Sequence, residues 1–142
     1  FPEEDVFEFM MLHTSTGLDF KESSCILLLL VGGGQNGKSF YGKMTHNTLG
    51  HQYCASGKSA LLTAPMENGD KPNSAQMHMK DKRYFYFDEF NKCELLNTAR
   101  VKSIVSPTWQ SGRDLNAKQT NFKNTCNPVA FSNFDFIIDT TG

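Results

Sequence analysis

Apolar and polar positions change their spacing several times along the chain, and each change marks an element. In residues 2–16, Val6, Phe9, Met10 and His13 recur at helical spacing, which predicts a helix with those side chains as its core face. Pro2 followed by Glu3, Glu4 and Asp5 suits a first helical turn, because acids favour the positive helix end. Gly17 is placed to end it. Cys25 to Val31 is an unbroken apolar run bounded by polar residues and glycine, as in a buried strand of a parallel sheet. Lys38 to about Leu49 returns to a helical pattern, weakened by Gly42 and Thr45. Residues 50–73 are rich in Gly, Pro, Asn and Asp and read as loop, with a short strand at Ala60–Thr63. A short helix is expected over Ser74–Lys80, a second strand over Tyr84–Phe87, and a helix over Glu94–Val105 that Pro107 stops. Residues 108–124 have the pattern of a polar hairpin, and Val129–Phe131 that of a third strand. Strands alternating with helices predict an α/β sandwich with a mainly parallel central sheet.

A length of 142 residues fits one domain with a real core. With 39% hydrophobic and 20% charged residues the composition is that of a folded globular chain, which excludes a disordered or fibrous one. The run Cys25–Val31 falls well short of the roughly 20 residues a bilayer requires, and no basic segment precedes an apolar one at the start. The expectation is an intracellular domain with no membrane partner. A first residue other than Met and an abrupt stop at Gly142 lead us to expect an excised piece of a longer polypeptide.

The formal net charge of −1 gives no whole-chain attraction to nucleic acid, but the charge is unevenly spread. Residues 1–22 carry Glu3, Glu4, Asp5, Glu8, Asp19 and Glu22 against Lys21 alone. Residues 100–123 carry Arg100, Lys102, Arg113, Lys118 and Lys123 against Asp114 alone, so a polyanion would meet this second segment. Cys25, Cys54, Cys93 and Cys126 form no CxxC pair and read as small buried side chains of a reducing compartment. His46, His51 and Cys54 match no zinc spacing.

Gly32-Gly33-Gly34-Gln35-Asn36-Gly37-Lys38-Ser39 satisfies G-x-x-x-x-G-K-[ST] at every fixed position, between an expected strand and an expected helix. Glycines let backbone amides approach phosphate oxygens, and the following helix aims its N-terminal amides at the same anion. Lys38 can reach the β- and γ-phosphates and the Ser39 hydroxyl can ligate Mg²⁺. Phe40 completes the nucleotide-binding set. The plain alternative is a glycine-rich turn with an accidental Lys-Ser, which the flanking elements argue against. Gly57-Lys58-Ser59 repeats the last three letters, but Gln52 stands where the first glycine belongs, so it reads as a surface loop.

Tyr84-Phe85-Tyr86-Phe87-Asp88-Glu89 is an apolar strand ending in two carboxylates. At the carboxyl end of a parallel strand Asp88 can hold Mg²⁺ and Glu89 can polarise an attacking water. Asn133 ends the next strand, where it can hydrogen-bond the γ-phosphate or simply form a turn. The candidate catalytic set is Lys38, Asp88, Glu89 and Asn133.

Together these residues resemble the superfamily 3 helicases, a branch of the AAA+ ATPases, and most of all the poxvirus-type primase-helicases of large DNA viruses and phages. The resemblance rests on the loop 32–39, the acids Asp88-Glu89, the strand ending in Asn133, and a third motif, Val101-Lys102-Ser103-Ile104-Val105 followed by Ser111-Gly112-Arg113. The opening Phe1-Pro2-Glu3-Glu4-Asp5-Val6 is similar to the helix that precedes the phosphate loop in this group. The family's Gly-Gly-Asp turn is replaced here by Ser106-Pro107-Thr108-Trp109. The resemblance implies ATP and Mg²⁺ as cofactors, a hexameric ring of identical subunits, and hairpins that track single-stranded DNA through its pore. It implies an arginine finger beyond Gly142 and a viral replication protein working in the host cytoplasm or nucleus.

The resulting expectation is an ATP-driven DNA helicase domain. Lys102, Arg113, Lys118 and Lys123 are its DNA contacts, with Lys118 near the tip of a hairpin over 107–123. Trp109 is expected to pack on the core rather than on a base. The alternatives are an AAA+ ATPase for protein remodelling or DNA packaging, an RNA-virus ATPase acting on RNA, and a nucleotide-gated DNA-binding module without hydrolysis.

Overall fold

Alternation in Tyr84-Phe85-Tyr86-Phe87 sends tyrosines to one face of the central sheet and phenylalanines to the other, and the helices divide accordingly. The computed structural model describes residues 3–19, 24–65, 74–113 and 118–138. The sheet contains β1 (Leu28–Val31), β7 (Asn127–Ser132), β3 (Tyr84–Asp88) and β2 (Cys54–Lys58) in that spatial order, every pair parallel. On the tyrosine face, Tyr84 and Tyr86 pack with Met10 of α1 (Glu4–Thr16) and Tyr41 of α2 (Lys38–Leu49). On the phenylalanine face, Phe85 and Phe87 pack with Leu62 of α3 (Ala60–Thr63), Ile104 of α5 (Thr98–Val105) and Met79, just after α4 (Ser74–Met77). Leu96 joins them from β4 (Leu95–Leu96), which pairs in parallel with β8 (Ile137–Ile138). Tyr84, Phe85 and Phe87 are fully buried, and each such ring contributes about 1.5–3 kcal/mol of transfer free energy. The result is the expected α/β sandwich.

Buried Arg83 joins α1 to the sheet. Its guanidinium donates to Gly17 O at 2.8 Å, to Thr125 O at 3.1 Å and to Asp19 O. The Tyr84 hydroxyl donates to Thr14 O in the last turn of α1. Gly17 does end the helix, but its φ of −63° is ordinary. Glycine is needed there because a Cβ would overlap the Tyr84 ring.

A separate ribbon stands beside the sandwich. β5 (Trp109–Gly112) and β6 (Thr120–Lys123) pair antiparallel, with Trp109 opposite Lys123 and Ser111 opposite Asn121. This is the expected hairpin, of which residues 114–117 lie outside the described residues, as do Pro2 and residues 66–73 of the expected loop.

Several expectations are corrected. The first strand is shorter, because Cys25 takes a left-handed φ of 55° and is exposed. Ala60–Thr63 is a helical turn rather than a strand, seated through Leu62. Gly57 and Lys58 end strand β2 instead of lying in a surface loop, because the backbone of 54–58 pairs along β3. The helix expected from Glu94 starts at Thr98, where the Asn97 side chain caps it by accepting from Arg100 N at 3.0 Å. Cys54 and Cys126 are buried, but Cys25 and Cys93 are exposed. On α1 only Met10 and His13 of the expected core face are buried; Val6 and Phe9 stay partly exposed beside Phe7, Met11 and Leu12. Among the described residues no helix is long and apolar enough to cross a membrane.

His13 is buried, and neither ring nitrogen has a hydrogen-bond partner among the described residues. Burial lowers its pKa below the ordinary 6.5, so the folded chain holds it neutral. The unfolded chain binds the extra proton as pH falls through 6.5, so this stability is present above 6.5 and lost progressively below it. Urea unfolding at pH 7.5 and 5.5 should show a loss at the lower pH. His13→Leu should flatten that dependence while leaving the chain at least as stable at pH 7.5. An equal loss in both proteins would place the sensitivity elsewhere.

Candidate active site

All four strands of the sheet run the same way, so their carboxyl ends share one edge. The register aligns Val31 with Ser132, Phe87 with Ala130, and Lys58 with Asp88. Along that edge the chain leaves β1 into Gly32, leaves β3 at Asp88-Glu89, and leaves β7 at Asn133. Gly32 N donates to Ser132 O at 3.2 Å, which carries the β1–β7 pairing one step into the loop.

Residues 32–37 form the turn and α2 begins at Lys38, as expected. Gly37 has a φ of +85°, a left-handed conformation that favours glycine. An added Cβ at Gly33, Gly34 or Gly37 would meet nothing within 4 Å, so the space over these backbone groups is open. The Lys38 ammonium donates to Gly32 O at 2.6 Å, Asn36 Oδ1 at 2.7 Å and Gly33 O at 3.2 Å. Gly34 to Phe40 and Asn133 line a hollow of about 370 Å³. The open loop, the helix N-terminus and a lysine amine suit a polyphosphate.

A second hollow of about 380 Å³ adjoins it and brings Lys38, Ser39, Asp88, Glu89 and Asn133 together. Desolvation, and then the neighbouring Glu89 carboxylate, raise the Asp88 pKa above its usual 3.8. A divalent cation would relieve both effects, so Asp88 and the Ser39 hydroxyl fit as hard oxygen ligands for Mg²⁺. Glu89 holds a φ of 61°, a conformation that costs a non-glycine residue about 1–3 kcal/mol and that clusters at functional sites. Its carboxylate lies 3.6 Å from the Lys58 ammonium, both side chains being well exposed.

Sequence reasoning missed part of this lining. Lys43 and His46 face the hollow with Ser39, and their positions along α2 carry that signal, since 39, 43 and 46 share a helix face. Ser56 lines it from β2, a strand not anticipated, and Lys58, which pairs with Glu89 without lining the hollow, comes from the dismissed Gly-Lys-Ser repeat. The proposed DNA contacts lie elsewhere. Lys102 is exposed on α5, while Arg113, Lys118 and Lys123 are exposed on or beside the ribbon, and none of the four lines either hollow. Trp109, expected in the core, is 74% exposed.

The chain is 43% identical over 140 residues to the C962R protein of African swine fever virus, which is named as a candidate primase. The match recurs in the Warthog/Namibia isolate and in the Vero-adapted Badajoz 1971 strain. It covers 99% of this chain and 15% of the viral protein, so the chain spans a small part of these relatives. No protein-family model matches. Among solved structures, the apo C-terminal region of NrS-1 (residues 305–718) superposes with a TM-score of 0.68 at 14% identity, over 96% of this chain and 35% of that one. A second form of that region gives a TM-score of 0.65 at 15% identity over 91% of this chain. These superpositions establish the α/β fold with its mainly parallel sheet, and the viral sequences establish a close relative over nearly the whole chain.

Raising a carboxyl pKa on folding disfavours its charged form. Asp88 therefore subtracts stability once pH exceeds its raised folded pKa, and the penalty fades as pH falls through that value towards 3.8. Without divalent cations Asp88→Asn should melt at or above the parent temperature at pH 7, with the difference shrinking towards pH 3.8. Added Mg²⁺ should raise the melting temperature of the parent but not of the variant. An equal Mg²⁺ response in both would remove Asp88 from the metal site.

Proposed function

We propose that this chain is the ATPase core of a replication helicase, which binds ATP with Mg²⁺ and couples its hydrolysis to movement along single-stranded DNA. The observation that carries the proposal is the meeting of the phosphate loop, the Asp88-Glu89 pair and Asn133 around adjoining hollows at one sheet edge. The similarity to a viral protein named as a candidate primase supports a place in DNA replication.

The residues divide the work as follows. Backbone amides of 33–38 and the Lys38 ammonium hold the phosphates and offset their charge. Ser39 and Asp88 hold Mg²⁺, which when bound neutralises charge on the phosphate oxygens. Glu89 accepts a proton from the attacking water, with the Lys58 ammonium beside its carboxylate. Asn133, at the end of β7, donates to the terminal phosphate or to the water beside it. The cations of the ribbon contact the DNA phosphates, and a homo-oligomeric ring, hexameric by the family resemblance, encloses the strand.

Strand displacement on forked DNA by the full-length protein, with ATP and with a non-hydrolysable analogue, tests the proposal. Unwinding is expected with ATP alone; ATP turnover without unwinding favours a remodelling or packaging ATPase. Lys38→Ala should abolish ATP binding or turnover. Glu89→Gln should leave nucleotide affinity nearly intact and slow hydrolysis by about 10²–10⁴-fold, the range a general base supplies. Full turnover in Lys38→Ala would sink the nucleotide assignment.

In the full-length protein Lys118→Ala should weaken single-strand binding uniformly across sequences. The slope of log affinity against log salt should become shallower by about 0.7, the counterion value for one single-strand contact. ATPase activity without DNA should persist, since Lys118 lines neither hollow. An unchanged slope with normal unwinding would move the DNA contact away from this ribbon.

A further inference from the structure

The ribbon has two faces of opposite character. Gln110, Gly112 and Phe122 are buried, whereas Trp109, Ser111, Asn121 and Lys123 are exposed. The inner face is firmly held. Gln110 accepts from Gln76 at 2.6 Å and donates to Ser103 O at 2.6 Å, which ties β5 to both α4 and α5. Gly112 lies against Met77 so closely that a Cβ would sit 2.6 Å from its sulfur. Below the ribbon, buried Asn124 donates to Ile104 O, and its own amide donates to Thr108 O at 3.2 Å. The ribbon cannot roll to hide its outer face without breaking these bonds.

That outer face therefore displays an indole at 74% exposure, held in place by the strand beneath it. Its cross-strand neighbour on the same face is Lys123, and Ser111 with Asn121 forms the next rung. Such a rung places side chains within about 4.5–5.5 Å at Cβ. An aromatic plane beside an ammonium, followed by a hydroxyl and a carboxamide, suits one ligand chemistry: an unpaired base over the ring, its phosphate on the lysine, and polar groups along the sugar. Charge agrees, because residues 100–123 carry Arg100, Lys102, Arg113, Lys118 and Lys123 against Asp114 alone, and Lys123 stands on the outer face itself. The segment's balance of charge favours an acidic polymer over a basic one.

We infer that Trp109 and Lys123 form a base-stacking platform for single-stranded nucleic acid on the outer face of the β5–β6 ribbon. The inference deepens the DNA-translocation reading and rests on it. It adds a capacity that point charges lack, since stacking needs an unpaired base and therefore discriminates single strands from duplex. Stacking on an aromatic side chain is tolerant of base identity, as a translocating contact requires.

Trp109 is the chain's single tryptophan, so its emission reports on the platform directly. The experiment titrates this chain with a dT oligonucleotide, an abasic oligonucleotide of equal length, and a duplex. It follows tryptophan emission together with the anisotropy of labelled strands. The dT strand should bind and quench; the abasic strand and the duplex should bind more weakly and leave emission unchanged. Trp109→Ala should lose about five- to hundred-fold in dT affinity, the range that one stacked base supplies, and fall to the level of the abasic strand. Trp109→Phe should keep most of the parent affinity. Equal binding of dT and abasic strands, with Trp109→Ala unchanged, overturns the platform while leaving the phosphate contacts standing. No binding of any strand overturns the DNA reading itself and the platform with it. Should Trp109→Ala fail to fold, the comparison of dT with abasic quenching in the parent still decides the matter.

Discussion

Everything at the candidate site depends on one insertion. Strand β7, formed late in the chain, has to enter the sheet between β1 and β3, with its backbone paired on both sides. Asn127 to Ala130 are buried in that slot, and Pro128, which offers no N–H, stands one residue before pairing with β1 begins at Val129. The register that results is fixed by burial on both faces, because a slip of one residue would turn Val129 and Phe131 away from the tyrosine face. That register brings Asn133 beside the phosphate loop and leaves the Asp88-Glu89 pair facing α2. The acids and the loop are far apart in sequence; only the parallel strands make them neighbours.

The rest of the molecule holds this arrangement from below and beside. Arg83 and Tyr84 bind the end of α1 at the amino end of β3, opposite the candidate site. Asn127 works at the same level, accepting from Ser24 N at 3.2 Å and so fixing where the chain approaches β1. The buried side chains of Arg83, Tyr84 and Asn127 have their partners at this end, while at the other end Asp88, Glu89 and Asn133 are exposed. Rigid at one edge and open at the other, the sheet has the usual disposition of a binding scaffold.

Much of this was legible because its signals are local. The phosphate loop carries its own glycines, α2 follows it at once, and the aromatic run of β3 is long enough to declare a strand. What stayed hidden depends on partners distant in sequence. β2 reads Cys-Ala-Ser-Gly-Lys, with too little apolar surface to mark a strand; Gly57 is there because the Phe85 ring leaves room for nothing larger. β4 and β8 are two residues each and exist through their pairing with one another. Lys58 was set aside with a repeat of the phosphate-loop letters, yet it sits next to Glu89 because β2 ends level with β3. Trp109 was assigned to the core on the general habit of tryptophan, whereas Gln110 and Phe122 take the inward positions of the ribbon and leave it outside.

The Lys38 ammonium makes three hydrogen bonds within its own loop, to Gly32 O, Gly33 O and Asn36 Oδ1. An anion arriving there takes part in an exchange, with each new phosphate contact measured against a carbonyl or amide contact given up. Affinity is then a difference between two well-satisfied states, and position 36 becomes a tuning point. A side chain there that bonds the lysine more weakly would favour the anion, and one that bonds it more strongly would reject all but the most highly charged ligands. On the proposed nucleotide reading, selectivity among phosphate chains of different length would be set partly by a residue that the loop pattern leaves free to vary.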